Sequence, residues 1–542
     1  MKFLLAAVNA KYIHSNPAIY SLRAYAGEAL AFHVELAEYT INQAMQEILG
    51  DIYQRKPEAI GFSCYIWNWR LVRELVCELP KLLPQTHIWL GGPEVSYDPE
   101  AILREMPFLS GIMLGEGEET FKELLEYYVE KHRKRQEREG WVKALEEIKG
   151  LCLPTGFTPC RGIVDMNKIP FLYHDLKPFE NKIIYYETSR GCPFQCSYCL
   201  SSIEKRVRFR DIDVIKKELQ FFLDNKVKQV KFVDRTFNCS HEHAMAVWQY
   251  LYEHDNGVTN FHFEISADIL REDELELLGR LRPGLAQLEI GVQSANQETL
   301  QAIRRRCDLD RLEQAVAKLC QGRNMHLHLD LIAGLPFEDY ESFGRSFDRV
   351  YRMKPDQLQL GFLKVLKGSE MWERAKEFGI CYMEQPPYEV LRTRWLSYEE
   401  ILKLKQIAEL VEVYYNSAQF TRTLPYLEGL FGSPFAMYEV LAGFFQEKKY
   451  FTVTPARARR YEILLEFLKK VDESRLTVFR ELLTCDMYLR ENLKSRPEFA
   501  MELSGYREQI RDFYQKEARE HRFLSGYEGY DWKQLSKMTH LE

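Results

Sequence analysis

Short apolar runs alternate with helical patterns through the first two thirds of this 542-residue chain. In the first block the strand-like runs are residues 2–8, 33–41, 59–66, 87–92 and 111–119, with helical stretches at 17–31, 42–55 and 69–83. Apolar strands that alternate with helices form a parallel sheet with helices on both faces. The first block therefore predicts an α/β fold built on a doubly wound, Rossmann-like parallel sheet.

A second block repeats this rhythm and ends in a different kind of region. Its strand-like runs are residues 182–188, 228–234, 260–266, 286–292, 326–334 and 357–365. Six successive strand–helix units predict a partial (β/α)6 barrel of the TIM type. The remainder is mostly helical, as at 398–416, 435–447 and 456–471.

The domain boundaries follow from these patterns. We expect the sheet domain at 1–140, a linker with scattered Pro and Gly at 141–181, the barrel at 182–368 and a mainly helical domain at 369–542. The charged run at 126–141 is typical of a solvated helix at a domain edge.

Composition narrows the class of protein. The chain is 46% hydrophobic and 28% charged, with a net charge of -7, which argues against nucleic acid held by bulk charge. It has neither a secretory signal nor a long apolar run, so no membrane span is expected. Its 12 cysteines are scattered, which predicts a cytoplasmic location and makes clustered thiols candidate metal ligands.

One cysteine cluster stands out, in "ETSRGCPFQCSYCLSS". Cys192, Cys196 and Cys199 have the spacing C-x3-C-x2-C and directly follow the first barrel strand, where barrels place their chemistry. A structural zinc site needs a fourth ligand, and Cys160 or a histidine could supply one without the usual paired spacing. A cubane iron–sulfur cluster on three thiolates would instead leave one iron open, and we favour it.

This motif, with Tyr198 before its last cysteine, resembles the signature of the radical S-adenosylmethionine (SAM) family. The resemblance implies that Cys192, Cys196 and Cys199 are catalytic and hold a [4Fe-4S] cluster. The open iron would chelate the amino and carboxylate groups of SAM. An electron donor such as flavodoxin or ferredoxin would drive cleavage to methionine and a 5′-deoxyadenosyl radical.

Polar residues also end the later barrel strands. Each alone can be a helix cap. The same resemblance makes the following residues candidate SAM contacts: Tyr198, Asp234, Glu264, Gln293, Ser294 and Gly334. One of Arg304 to Arg306 would pair with the SAM carboxylate, and a solvated basic helix face is an equal alternative for each.

The strand-end loops of the first block form a second candidate site, because parallel sheets bind ligands beyond their carboxyl ends. They cover residues 9–18, 63–68, 91–96 and 115–120. No phosphate-loop motif occurs, and three glutamates in the last loop disfavour a phosphate. An amide-rich neutral ligand fits better.

The loops "NAKYIHSNPA", "GGPEVS" and "LGEGEETF" resemble those of the cobalamin (B12)-binding domain of cobalamin-dependent radical SAM enzymes, a likeness that covers residues 1 to about 370. The candidate cobalamin contacts are Asn9, Tyr12, Ser63, Tyr65, Trp67, Gly91, Gly92, Glu94, Gly115, Glu116 and Gly117. Tyr65 and Trp67 would face the corrin or serve as core aromatics. D-x-H-x-x-G is absent and His14 lacks its context, so the resemblance implies base-off cobalamin without a histidine ligand.

The resemblance implies a methyltransferase that acts on an unactivated carbon of an unknown small molecule or peptide. Rearranging or cyclising enzymes of the same family are an alternative. A methylthiotransferase would need a second cysteine triad, and Cys64, Cys77 and Cys152 are widely spaced. A non-catalytic cobalamin or iron–sulfur sensor is the remaining alternative. The C-terminal third resembles an uncharacterised helical extension of these enzymes.

Overall fold

The computed structural model describes residues 1–137, 144–491, 493 and 495–541. It contains two compact units. The first comprises Met1–Phe343, Met353–Asp356 and Leu360–Tyr398, and the second comprises Gly344–Arg352, Gln357–Gln359 and Glu399–Glu542. Both predicted cofactor sites lie in the first unit.

The first unit begins with a seven-stranded sheet of order β2-β1-β3-β4-β5-β6-β7. Its strands are β1 Phe3–Asn9, β2 Val34–Thr40, β3 Ala59–Ser63, β4 His87–Gly91, β5 Gly111–Met113, β6 Leu151–Leu153 and β7 Gly156–Phe157. Its helices are α1 Pro17–Tyr25, α2 Glu28–Ala31, α3 Met45–Arg55, α4 Trp69–Leu82, α5 Pro99–Glu105 and α6 Gly117–Glu137. The first five strands pair in parallel and bury apolar side chains on two faces, which confirms the predicted doubly wound sheet.

Two short strands fall inside the segment predicted as a linker. β6 pairs antiparallel with β5, and β7 pairs antiparallel with β6. Strands of three and two residues are too short to show a period, so the sequence pattern did not predict them. The charged run predicted at 126–141 is helical as far as Glu137, and its last residues lie outside the described part of the chain.

The second sheet of this unit is the predicted six-stranded barrel sheet, in the order β15-β14-β13-β12-β11-β8. The strands are β8 Ile184–Tyr186, β9 Ser189–Arg190, β10 Arg208–Phe209, β11 Gln229–Phe232, β12 Asn260–Ile265, β13 Ala286–Gln293, β14 His326–Ala333 and β15 Gln357–Phe362. The helices are α7 Ile212–Asp224, α8 His241–Glu253, α9 Glu272–Arg280, α10 Gln297–Ala302, α11 Leu309–Gly322 and α12 Tyr340–Arg352, and most of α12 belongs to the second unit. Burial alternates along β12, β13 and β14, so each presents an apolar face and a polar face.

The remaining elements are mostly helices of the second unit. They are α13 Glu370–Arg374, β16 Cys381–Tyr382, β17 Val390–Arg392, α14 Tyr398–Val411, α15 Thr423–Glu428, α16 Pro434–Glu447, α17 Arg457–Val471, α18 Leu476–Arg490, α19 Arg507–Glu520 and α20 Trp532–Met538. The predicted helical character is confirmed, and a π-helical turn, Glu412–Asn416, extends α14. Among the helices in the described ranges, none combines the length and apolar content that crossing a bilayer requires.

Candidate functional site

The three cysteines lie on a loop directly after the first barrel strand. β9 and β10 form an antiparallel ribbon at the base of this loop. Cys192 and Cys196 are buried and Cys199 is half-buried. The Cys192 Sγ atom lies 3.6 Å from the Thr236 Oγ1 atom of the loop after β11. The loop therefore lies at the carboxyl end of the barrel strands, as predicted.

The donor set fits a cluster better than a single ion. Thiolates that share one tetrahedral zinc have sulfurs about 3.8 Å apart. Within the described residues, two groups of three ligating side chains converge to within 4.8 Å, and the cysteine triad is not one of them. The three thiols are therefore more widely spaced than the ligands of one zinc ion, which suits an iron–sulfur cubane with one open iron.

Arg305 lies against one of these thiols. Its Nη1 atom is 3.8 Å from the Cys196 Sγ atom, and its Nη2 donates to the Gly291 carbonyl of β13. Burial raises the pKa of the Cys196 thiol, and the Arg305 guanidinium opposes that rise. Arg304 pairs with Glu370 at 2.7 Å and Arg306 is exposed. Of the three predicted arginines, Arg305 is thus the one placed to meet an anionic cluster or carboxylate.

The carboxylate of Asp234 is already hydrogen-bonded within the chain. Its carboxylate is fully buried and accepts hydrogen bonds from the Thr188 backbone N–H at 3.0 Å, the Thr188 hydroxyl at 2.6 Å and the Ser189 hydroxyl at 2.5 Å. Thr188 and Ser189 lead into the cysteine loop. Its predicted contact with SAM stays a prediction, and the hydrogen bonds give it a role in fixing the entry to that loop.

Gln293, unlike Asp234, has a polar atom without a protein partner. It ends β13 with φ at +72°, and its buried Oε1 atom has no hydrogen-bond partner among the described residues. Its amide folds back over Gly291, where any larger side chain would clash. An orphaned buried acceptor at this position fits the predicted SAM site.

Three other predicted SAM contacts, Ser294, Gly334 and Tyr198, have partners or packing within the chain. Ser294 is fully buried and donates to Glu338 at 2.7 Å, which makes it a local structural residue as well. Gly334 has φ at +88° and packs closely against a side chain of β17. Tyr198 lies half-buried between the last two cysteines. These three assignments stay predictions.

Several titratable side chains share the polar face of the barrel sheet. Lys231 Nζ lies 3.1 Å from a Glu289 carboxylate oxygen and 3.9 Å from Glu264. Burial, followed by repulsion from Glu289, raises the pKa of Glu264 to about 6. Asp330 is in register with Gly291 on the neighbouring strand, one layer below Gln293. Asp330 was not among the predicted site residues, although the alternation in "HLHLDL" places it on the polar face of β14.

A cavity of about 690 Å³ opens at the carboxyl edge of the N-terminal sheet. Its lining includes seven of the predicted cobalamin residues: Ser63, Tyr65, Gly91, Gly92, Gly115, Glu116 and Gly117. The lining continues onto the barrel through Tyr185 to Glu187 and Arg190, two residues before Cys192. One cavity therefore reaches from the predicted cobalamin loops to the base of the cysteine loop.

The glycines of this edge fit a large flat ligand. Gly115 has φ at +73°, and a Cβ atom added there would meet nothing within 4 Å. Its backbone therefore faces open space that a ligand can approach closely. Gly92 has φ at +113°, and an added Cβ would lie 2.5 Å from the Cys64 carbonyl oxygen, so this glycine is needed for loop packing.

The remaining predicted cobalamin residues are not in the cavity lining. Trp67 stacks on Tyr65 with ring centroids 4.4 Å apart and is 46% exposed. Asn9 donates to Glu38 at 2.9 Å, and Tyr12 is 66% exposed. Glu94 is buried and accepts a hydrogen bond from a tyrosine of the chain beyond the barrel. Their contacts with cobalamin stay predictions.

His14 is hydrogen-bonded to a residue of the cavity lining. Its Nδ1 atom lies 2.6 Å from the Tyr185 hydroxyl, and its backbone forms a parallel bridge with Ile183 beside β8. Burial, followed by the charge of Lys11, lowers the pKa of its imidazole. These contacts agree with the expectation that His14 is a loop residue.

Ion pairs join the two cofactor regions. Arg190 pairs with Glu118 at 2.5 Å and with Glu187 at 2.9 Å, and Arg208 pairs with Glu116. Glu116 also accepts from the Val164 backbone N–H at 2.6 Å. Two of the three glutamates of this loop, Glu116 and Glu118, are thus paired with arginines of the cysteine-loop ribbon, and the third, Glu119, pairs with Arg161 at 3.2 Å.

Comparisons with known proteins agree with this geometry. Residues 4–125 match the family model of the B12 binding domain, and residues 186–350 match that of the radical SAM superfamily. The chain is 25% identical over 335 residues to the cobalamin-dependent radical SAM methyltransferase TokK of Streptomyces tokunonensis, covering 55% of this chain and 45% of TokK. The chain therefore combines a B12-binding domain with a radical SAM domain, the combination expected of a cobalamin-dependent radical SAM enzyme.

Two further similarities extend this result. This chain is 25% identical over 345 residues to an uncharacterised methyltransferase of Pyrococcus horikoshii, and the match covers 60% of this chain and 71% of that protein. Its fold resembles that of the cobalamin-dependent SAM radical enzyme OxsB with aqua-cobalamin bound, with a TM-score of 0.59, 15% identity, and coverage of 89% of this chain and 79% of OxsB. Residues 376–542 match a family of unknown function, DUF4080.

Proposed function

We propose that this radical SAM enzyme methylates an unactivated carbon of a small molecule or peptide. When bound, the [4Fe-4S] cluster and SAM would supply a 5′-deoxyadenosyl radical, and base-off methylcobalamin would supply the methyl group. The observation that carries the proposal is the single cavity that connects the glycine loops of the N-terminal sheet with the base of the cysteine loop. Methyl transfer to a carbon radical requires both cofactors to face one substrate.

The chain's own residues have distinct tasks in this proposal. Cys192, Cys196 and Cys199 would supply the cluster ligands. Arg305, against Cys196, would lower the free-energy cost of burying their negative charge. Gln293 would accept a hydrogen bond from SAM with its free amide oxygen. The loops that contain Gly91, Gly92 and Gly115 would hold cobalamin by shape and backbone groups, with no histidine on cobalt.

The methylthiotransferase alternative lacks a specific observation. A methylthiotransferase would need a second cysteine triad. In the sheet domain Cys64 and Cys152 are buried and Cys77 is exposed, and none of them belongs to a group of converging ligands among the described residues.

We expect the electron that reduces the cluster to come from flavodoxin or ferredoxin in a reducing cytoplasm.

The test needs no knowledge of the substrate. Anaerobically reconstituted protein is given hydroxocobalamin, a strong reductant and SAM that carries a deuterated methyl group. We expect deuterated methylcobalamin and S-adenosylhomocysteine, together with slow release of 5′-deoxyadenosine. Deoxyadenosine without either methyl-transfer product would contradict the methyltransferase and favour a rearranging or cyclising enzyme. Binding of both cofactors without any SAM cleavage would favour a sensor.

A further inference from the structure

The chain beyond the last barrel strand returns to the cofactor loops. We call residues 364–392 the strap; they belong to the first unit and contain α13, β16 and β17. The Met371 backbone N–H donates to the Ser197 carbonyl at 2.8 Å, inside the cysteine loop. Glu370 pairs with Arg304 at 2.7 Å. The start of the strap is therefore fixed to the loop that carries the cluster ligands.

The strap also contacts the loop after β4, which holds the predicted cobalamin residues Gly91, Gly92 and Glu94. The Tyr388 hydroxyl donates to the Glu94 carboxylate, and the two side chains are 3% and 8% exposed. Gly368 packs against the ring of Tyr97, in the same β4 loop and in the cavity lining. Two separate residues of the strap, Gly368 and Tyr388, thus contact this loop.

Tyr388 itself is held firmly. The Val365 N–H donates to the Tyr388 carbonyl at 3.0 Å, and the Val390 N–H donates to the Leu363 carbonyl at 2.9 Å. Tyr388 has φ at +56°, a conformation that a bulky side chain rarely adopts unless its surroundings impose it. Two residues later, Val390 Cγ1 would lie 2.7 Å from a Cβ atom added at Gly334, which directly follows β14.

The position of Glu94 determines the shape of the cavity wall. Its backbone N–H donates to the Cys64 carbonyl at 3.3 Å, and the Cys64 N–H donates to the Gly91 carbonyl at 2.7 Å. Ser96 Oγ donates to the Gly92 carbonyl at 2.8 Å. A movement of Glu94 would therefore move Gly91 and Gly92, which line the cavity.

We propose that Tyr388 is a positioning residue for cobalamin: its hydrogen bond to Glu94 holds the β4 loop in the form that binds the cofactor. This inference rests on the proposed function, because it requires cobalamin in the cavity. It also gives a part of the DUF4080 region, which begins at residue 376, a direct role in the cofactor centre.

The test measures cobalamin affinity rather than turnover. Full-length protein carrying its cluster is titrated with hydroxocobalamin, and binding is followed by absorption and, after reduction, by the cob(II)alamin electron paramagnetic resonance signal. Tyr388→Phe removes the donor and keeps the ring, and we expect Kd to rise about tenfold. Tyr382→Phe, in β16 of the same hairpin, is the matched control and should leave Kd unchanged.

Glu94 supplies the second half of the test. Glu94→Gln keeps an oxygen that accepts from Tyr388, so we expect Kd close to that of the unaltered protein. Glu94→Leu should weaken binding as Tyr388→Phe does, and the double variant should be no weaker than either single variant. This rescue by the conservative variant distinguishes a specific hydrogen bond from general loosening, which thermal unfolding of each variant monitors.

The outcomes separate the two proposals. If the unaltered protein binds no cobalamin, the proposed function and this inference both fail. If it binds one cobalamin and Tyr388→Phe binds it equally well, only the inference fails. Equal weakening by Tyr388→Phe and Tyr382→Phe would also overturn it.

Discussion

The barrel and the N-terminal sheet hold their predicted cofactors in opposite ways. The barrel presents specific ligating atoms, namely three thiols with Arg305 against one of them. The sheet presents glycines and a cavity of about 690 Å³. Coordination depends on individual side chains, whereas a shaped cavity distributes its binding energy over many contacts. We therefore expect single substitutions to abolish function in the barrel and to weaken it in the sheet.

The largest effect should come from Cys196→Ala. Loss of one of three thiolates leaves the cubane with two protein ligands and two uncoordinated irons, so we expect most of the iron and all measurable 5′-deoxyadenosine formation to be lost. Iron assay and product chromatography measure both. Cys77→Ala, at an exposed cysteine, is the control and should behave like the unaltered protein. Full iron content in Cys196→Ala would show that the barrel does not depend on these ligands.

Asp234→Ala should mainly affect stability. It removes the acceptor of the Thr188 N–H and the Ser189 hydroxyl, while the Thr188 hydroxyl keeps the His243 Nε2 atom at 3.0 Å, and we expect the free energy of unfolding to fall by about 3 kcal/mol. Chemical denaturation measures this change. A higher Kd for SAM with unchanged stability would instead support the predicted direct contact between Asp234 and SAM.

Gly115→Ala tests the sheet. The added methyl projects into open space at a positive φ, so we expect Kd for cobalamin to rise about tenfold, together with a loss of roughly 1 kcal/mol in stability. Gly257→Ala is a matched control, since Gly257 has φ at +74° and open surroundings but is absent from the cavity lining. It should lose the same stability and keep its affinity. Equal affinities for the two variants would contradict cobalamin binding at this edge.

The smallest effect concerns Glu264. Folding raises the pKa of its carboxyl from 4.5 to about 6, so its protonated form is favoured in the folded state. This contribution is present below about pH 4.5 and is lost as the pH rises through 6. Glu264→Gln should therefore increase the free energy of unfolding by about 1 kcal/mol at pH 7.5 and leave it unchanged near pH 4.5. An equal change at both pH values would contradict the assignment.

The sequence predicted the parallel strands well because apolar runs and strand-end loops are local patterns. Both sheets appear where expected, and the cysteine spacing marked the candidate cluster site, whose ligand roles stay predictions. The sequence pattern did not predict β6 and β7, because these strands are too short to show a period. Nor could it choose Arg305 from three consecutive arginines, because that choice depends on the turn made by Arg304 at φ +54°.

Contacts that are distant in sequence were also beyond prediction. Glu94 and Tyr388 lie 294 residues apart, and neither has a local pattern that indicates the other. Asp234 was predicted as a ligand contact from its position at a strand end, but its hydrogen-bond partners depend on the neighbouring strand. Local pattern thus located the cofactor regions, and tertiary packing decided which side chains are free to bind.

The most direct test of the central claim is the metal content of the protein purified without oxygen and supplied with hydroxocobalamin. We predict about four irons and one cobalt per chain, with the absorption spectrum of base-off cobalamin. Four irons without retained cobalt would contradict the account. The chain would then be a radical SAM protein whose N-terminal cavity serves another ligand.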